Sequence, residues 1–339
     1  MNEIEKPQIT VLMSVYNGQE FLAEAIESVL GQTFSNFEFI IINDGSTDQT
    51  LGIINKYACI DNRIVLVSRE NKGLIASLNE GIELANAKYI ARMDADDICL
   101  PERFQIQFDF MEANPEIGVC GSWAKVFGEG MNKILRHPAT MNQLKPKLLF
   151  SVCFAHPTVI IRREILLDNN LRYSAKAEGC EDYELWTRLI NHTQFSNVQQ
   201  VLLKYRYVAT SISRTADSEK SNKRYVQLKS IFSIQLDKLD LVNSEAENLL
   251  HFIILSNERI AEKEIKLFEL DKYCHKIIQA NRYKNIYEES ELLKILSKKF
   301  LVSLYYQSLI NKWNMVKVLG LSFLYTAIKC TVMSYIRSK

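Results

Sequence analysis

Four times in its first third the chain repeats one pattern: a short apolar run, a polar turn, then a segment whose apolar residues recur at helical spacing. "QITVLMSVYNG" (8–18) reads as a buried strand closed by a turn, and "QEFLAEAIESVLGQT" (19–33) as the following helix, with Gly31 as its stop. "FEFIIINDGS" (37–46) precedes a helix at 47–57, "RIVLVSR" (63–69) one at 74–86, and "KYIARMD" (88–94) one at 101–113. Alternation on this scale predicts an α/β domain on a mainly parallel sheet, covered by helices on both faces. Ligands of such sheets sit at the carboxyl ends of the strands. Here all four ends are polar, namely "VYNG", "NDGSTD", "RENKG" and "DADD", and together they can build one pocket.

The pattern then loosens. "EIGVCGSWAKVFG" (116–128) reads as a strand, "HPTVIIRREIL" (156–166) as a strand running into a helix, "CEDYELWTRLI" (180–190) as a helix, and "VLLKYRYV" (201–208) as a closing strand. "SRTADSEKSNK" (213–223) is almost free of apolar residues and reads as a linker. Beyond it the spacing is helical and there is no proline. The expected organisation is an α/β domain over 1–213 followed by a helical region over 214–339.

Composition narrows the function classes. Lys+Arg 41 against Asp+Glu 40 gives no bulk attraction to nucleic acid, so nucleic acid is not an expected partner. Seven cysteines, widely spaced and without a CxxC pair, fit reduced thiols better than a disulfide frame or a zinc site. The start "MNEIEKPQIT" lacks the basic and apolar stretches of a signal peptide, so the expected location is cytoplasmic.

Candidate chemistry sits at the strand ends. "YIARMDADD" (89–97) ends in three carboxylates within four residues, which repel one another unless a cation or solvent offsets them. Residues two apart in an extended strand share a face, so Asp94 and Asp96 point the same way and Asp97 points the other. Two carboxylates on one face suit Mg²⁺ or Mn²⁺, whose shell is completed by water and substrate phosphates. The plainer reading is a solvated turn before the helix near Pro101. In "INDGSTDQT" (42–50), Ser46, Thr47 or Asp48 can cap the next helix, while the Asp44 carboxylate can accept from the N3–H of a uracil ring with Tyr16 against the base. A nucleotide at one end and a metal at the other define a nucleoside diphosphate.

Taken in order, "SVYNG", "INDGSTD", Asn71-Lys72-Gly73, Asn79-Glu80-Gly81, "YIARMDADD" and Gly179-Cys180-Glu181-Asp182 resemble the family 2 glycosyltransferases over about 7–213. The resemblance implies the GT-A fold and inverting transfer from a nucleotide-sugar donor. It implies further that Val15, Tyr16, Asn17, Glu20, Asp44 and Arg69 line the nucleotide site. Asp96 becomes the main metal ligand and Asp94 lies by the ribose or the metal. The position of Asp182 becomes the base, with Glu181 orienting or binding the acceptor. Acids at a helix N-terminus also favour the helix dipole, which by itself accounts for many such pairs. His156 is either a satisfied structural histidine or an acceptor contact. The chain departs from the family pattern after "YR" (205–206), where Val208 and Ala209 stand in place of a histidine. Arg206, Ser211, Ser213 or Arg214 are the candidates to replace it.

Competing functions lack their own marks. A processive synthase needs spanning helices and usually QxxRW, and a dehydrogenase or nucleotidyltransferase needs a Gly-rich phosphate loop. None of these occurs in the sequence. A non-catalytic nucleotide-binding or scaffold protein on the same fold should have lost carboxylates that this chain keeps. The stretch 311–339 carries five basic residues and no acid, with a basic face opposite an apolar one. That suits either a helix lying on an anionic inner leaflet, useful for a lipid-linked acceptor, or a helix packed on the catalytic domain or a second subunit of a homodimer. The overall expectation is a metal-dependent glycosyltransferase acting on a glycan or lipid-linked acceptor in surface polysaccharide synthesis.

Overall fold

The computed structural model describes residues 6–208, 221–311, 323–324 and 326–330. The chain divides into two compact units, one of residues 1–141 and 153–220, the other of 142–152 and 221–339. The second unit thus takes eleven residues from the middle of the first. The boundary expected at 213/214 lies outside the described residues.

In the first unit the four repeats become β1 (Ile9–Val15) and α1 (Leu22–Leu30), β2 (Phe37–Asp44) and α2 (Thr50–Ala58), β3 (Ile64–Arg69) and α3 (Leu74–Leu84), then β4 (Tyr89–Asp94). These strands pair in parallel in the order β3-β2-β1-β4. Six of the seven β1 residues are buried, so this strand is covered on both faces, and its near-continuous apolar run follows from that. Ser14 pairs with Asp94, Val15 with Asn43 and Asp44 with Arg69, so the polar turns do end at one edge of the sheet. Gly81 lets α3 close on β1, because a Cβ there would lie 2.0 Å from the Leu12 side chain.

Beyond β4 come β5 (Ile98–Cys99) and α4 (Arg103–Ala113), then β6 (Ile117–Gly128), β7 (Met131–Leu135) and α5 (Met141–Lys147). They are followed by β8 (Ile160–Arg162), α6 (Arg163–Asp168), α7 (Glu181–Leu189) and β9 (Gln194–Arg206). This half is mixed: β8 runs antiparallel to β4 and β6, β5 antiparallel to β9, and only β6 and β9 are parallel. Arg103 is fully buried at the start of α4 and donates to the Arg92 carbonyl at 2.9 Å, pinning β4 just before Asp94.

The second unit is helical: α8 (Ser221–Asp237), α9 (Glu245–Ile254), α10 (Asn257–Glu262), α11 (Leu267–Lys284) and α12 (Glu289–Asn311). Leu149 and Phe150 of the inserted segment lie in its core, where His251 bonds the Leu149 carbonyl at 2.8 Å and stacks on Phe150. Most of the C-terminal stretch lies outside the described residues. Its described part turns Phe323 and Ala327 into this core, and Phe323 N–H donates to Asp271 at 2.7 Å. Phe323 and Ala327 therefore pack within their own unit. Among the described residues no helix is long and apolar enough to cross a membrane.

Candidate active site

The first two strand ends are laced into one wall. Asn17 adopts a left-handed conformation (φ 51°), which asparagine tolerates better than most residues. Its side-chain oxygen accepts from Thr47 N–H at 2.8 Å while its own N–H donates to Ser46 Oγ at 2.9 Å. Gly18 N–H donates to Thr50 Oγ1 at 2.9 Å, and Gln19 N–H to Asp48 at 3.2 Å. Asn17 and the Ser46–Asp48 segment thus hold each other, beyond capping a helix. Val15 is buried behind them, Glu20 is exposed, and the Tyr16 ring is 54% exposed beside the wall, available as a stacking platform.

Asp44 is more committed than the sequence suggests. Its Oδ1 accepts from Lys72 N–H at 2.8 Å and pairs with Arg69, and its Oδ2 accepts from Gly73 N–H at 2.9 Å. Arg69 in turn reaches Glu80 at 2.6 Å and Ser77 at 2.9 Å. Gly45 (φ +75°) must be glycine, since a Cβ would meet Asn71 N at 2.5 Å. The "NDG", "NKG" and "NEG" triplets therefore form one structure around a buried carboxylate, with one Oδ2 lone pair left over.

The three carboxylates converge in a way the strand periodicity does not foresee. β4 stops at Asp94, and Ala95 and Asp96 form a turn, so alternation no longer applies and Asp97 swings in as well. One oxygen from each of Asp94, Asp96 and Asp97 lies within 4.8 Å of the others. Asp94 is ion-paired with Arg92, a buried cation inside an otherwise apolar strand. Asp97 is 1% exposed and accepts from Arg206 N–H at 2.8 Å, yet its Oδ2 is buried without a partner. Burial, then the Asp94 charge, pushes the Asp96 pKa up to about 6. Burial followed by Asp94 and Asp96 holds Asp97 well above the usual carboxylate range. An unpartnered oxygen and carboxyls reluctant to ionise together are what a cation would relieve, so the residues fit a divalent metal.

Tyr173 gathers the remaining groups. Asn79 of α3 clamps its backbone twice, accepting from Tyr173 N–H at 2.8 Å and donating to Tyr173 O at 2.9 Å. The Tyr173 hydroxyl bonds His156 Nε2 at 2.8 Å, and the His156 ring meets Trp186 of α7 edge-on at 5.9 Å. Burial raises the Tyr173 pKa, and the fields of Arg92, Asp182, Glu181 and Asp94 all act on it. His156, half-buried, is held well below its ordinary value by burial and then by Arg92, so it is neutral. Glu181 and Asp182 open the first turn of α7.

The family model for glycosyl transferase family 2 matches residues 10–168. The O-antigen biosynthesis glycosyltransferase WbnJ of Escherichia coli is 32% identical over 214 residues, which is 61% of this chain and 83% of the relative. The chain belongs to glycosyltransferase family 2. Two solved structures share the fold at low identity. TarS of S. aureus, in complex with UDP-GlcNAc, has a TM-score of 0.59 at 18% identity, over 90% of this chain and 92% of its own. The mannosyltransferase PcManGT of Pyrobaculum calidifontis, in complex with GDP-Man and Mn²⁺, has 0.52 at 13% identity, over 99% and 89%.

For a family 2 glycosyltransferase the structure brings together Asp94, Asp96 and Asp97, and the charges of Glu181 and Asp182 act on Tyr173, which bonds His156. Arg206 does not stand free as a replacement for the missing histidine. It donates to Asp97 and the Asp96 carbonyl, pairs with Glu24, and lies 4.2 and 4.6 Å from the Phe21 and Phe127 rings. Ser211, Ser213 and Arg214 lie outside the described residues. Arg92 and Tyr173 escape the sequence reading. A charge in an apolar strand was a signal for the first, whereas nothing local marks the second.

Proposed function

We propose that this glycosyltransferase moves one sugar, with inversion, from a UDP-sugar to a hydroxyl of a glycan or lipid-linked acceptor in surface polysaccharide synthesis. The convergence of Asp94, Asp96 and Asp97 beside the laced 16–19 and 44–50 loops carries the reading. Tyr16 flanks the base and Asp44 offers its remaining Oδ2 lone pair to the uracil N3–H, with Arg69 fixing that carboxylate. Val15, Asn17 and Glu20 complete the nucleotide wall. Asp96, with Asp94 and Asp97, would hold Mn²⁺ or Mg²⁺, which when bound neutralises the departing diphosphate.

The acceptor oxygen attacks the anomeric carbon as the bond from that carbon to the diphosphate oxygen breaks, and the hydroxyl proton passes to Asp182. Glu181 orients the acceptor. His156, neutral and bonded to Tyr173, supports that side as a hydrogen-bonding group rather than as a base.

Calorimetric titration of UDP, GDP and dTDP, each with and without Mn²⁺, into the wild type and Asp96→Ala tests the reading. The expected result is Mn²⁺-dependent binding of UDP alone, lost in the variant. No binding of any nucleotide would turn the assignment toward a scaffold on the same fold.

A further inference from the structure

β4 carries a cation where a central strand ordinarily has an apolar side chain. Arg92 is 6% exposed, its Nε is buried without a hydrogen-bond partner, and its Nη1 is ion-paired with Asp94 Oδ2. A cation buried in this way is costly unless a partner holds it. Among the described residues no other cation is ion-paired with Asp94, Asp96 or Asp97, since the Arg206 guanidinium pairs with Glu24. Three ionised carboxylates and one guanidinium leave two net negative charges, which one divalent cation neutralises.

The sheet fixes where that guanidinium lies. Tyr89, Ala91 and Met93 face the core shared with Ile9, Val11 and Met13, so Ile90, Arg92 and Asp94 face the other side. Arg92 is paired in register with Leu12 of β1, whose side chain abuts Gly81 of α3, so Arg92 lies on the α3 face. Its backbone is held from two directions: the N–H donates to the Val159 carbonyl at 3.0 Å, and the carbonyl accepts from Arg103 at 2.9 Å. Asp94, by contrast, ends the strand, and among the described residues only Arg92 holds its carboxylate. The pair engages Oδ2 and leaves Oδ1 for a cation. Without it, the charges of Asp96 and Asp97 would push the Asp94 carboxylate away from them.

We propose that Arg92 is a positioning residue: it holds Asp94 Oδ2 so that Oδ1 meets the cation shared with Asp96 and Asp97, a role that rests on the cation reading of those three carboxylates.

Mn²⁺ uptake by the full chain, read from the electron paramagnetic resonance signal of the free ion with and without UDP, tests it. Outer-shell partners of metal ligands are worth about 10–100-fold in metal affinity, so Arg92→Met should raise the Mn²⁺ midpoint by that factor while turnover recovers at saturating Mn²⁺. Arg92→Lys keeps the charge without the planar fork and should raise the midpoint by less. It carries the test by itself should Arg92→Met not fold. A residue that only supported the fold would lower the melting temperature and leave the midpoint in place. A folded variant of either kind with the wild-type midpoint therefore overturns the proposal. So does a lower midpoint in Arg92→Met, which would make Arg92 a competitor of the cation for Asp94. No uptake by the wild type in either condition would instead remove the cation site itself, and the role of Arg92 with it.

Discussion

From β3 to β4 the catalytic sheet is held by parallel pairs between strands joined by their own crossover helices. Around β6 it is held by short antiparallel ladders and one twelve-residue strand that serves β7, β8 and β9. The first half fixes its site by local turns: Asn17 bonds to the Ser46–Thr47 turn, Asp44 to the Lys72–Gly73 turn. The second half fixes its site through long-range contacts, such as Asn79 on Tyr173, 94 residues away in sequence. The proposed donor side is thus assembled by adjacency and the proposed acceptor side by packing. That division makes the two sides separable by mutation.

The largest expected effect uses that separation. Asp182→Asn should lower turnover on the order of 1000-fold, the range of a lost general base, while nucleotide affinity stays within about twofold. Asp96→Asn should lose metal-dependent nucleotide affinity and turnover together. Titration beside steady-state rates reads both. Should Asp182→Asn weaken nucleotide binding as much as Asp96→Asn does, the two sides are one site and the comparison breaks.

The same division sets what could be read from the residues alone. Strand-turn-helix repeats declare themselves within a few residues, so β1 to β4 and their polar ends were legible with small boundary shifts. Asp97 was misjudged because period-2 reasoning was carried past Asp94, where the strand ends. The long β9 was read only in its second half, since Gln194–Val201 gains its strand character from β6 beside it. Tyr173 lies in a stretch with no periodicity, and its role depends wholly on Asn79, His156 and the charges around it. Asn79 was visible in a motif, but its partner was not.

Asn79→Ala should sharpen that point. It removes both backbone clamps on Tyr173, for a loss of about 2 kcal/mol by denaturant midpoint. Turnover should fall with it, and nucleotide affinity should move less, because Glu80 still holds Arg69. An equal loss of nucleotide affinity would place Asn79 on the donor side instead. A smaller step is Tyr173→Phe, which keeps the ring and deletes the bond to His156. About a tenfold fall in turnover is expected, with a loss of about 1 kcal/mol of stability because one buried hydrogen bond goes. A change in stability without a change in rate would make the pair structural only.

The smallest expected effect is a pH dependence confined to the donor side. Asp96 has a folded pKa of about 6 against an ordinary 3.8, with burial the main cause and Asp94 the next. A carboxyl whose folded pKa is raised binds its proton more tightly in the folded protein. Its ionisation therefore imposes a penalty that is absent below the unfolded value and grows to its full size above about pH 6. A cation among Asp94, Asp96 and Asp97 offsets that penalty, so Mn²⁺ should raise the melting temperature by more at about pH 7.5 than near pH 5. Asp96→Asn should flatten the difference, because no charge is left at that position to relieve. Asp182→Asn should leave it intact, since that side chain sits in the first turn of α7 and not in the carboxylate turn after β4. Equal stabilisation by Mn²⁺ at both pH values in the wild type would mean that the burden of ionisation lies on some group other than Asp96.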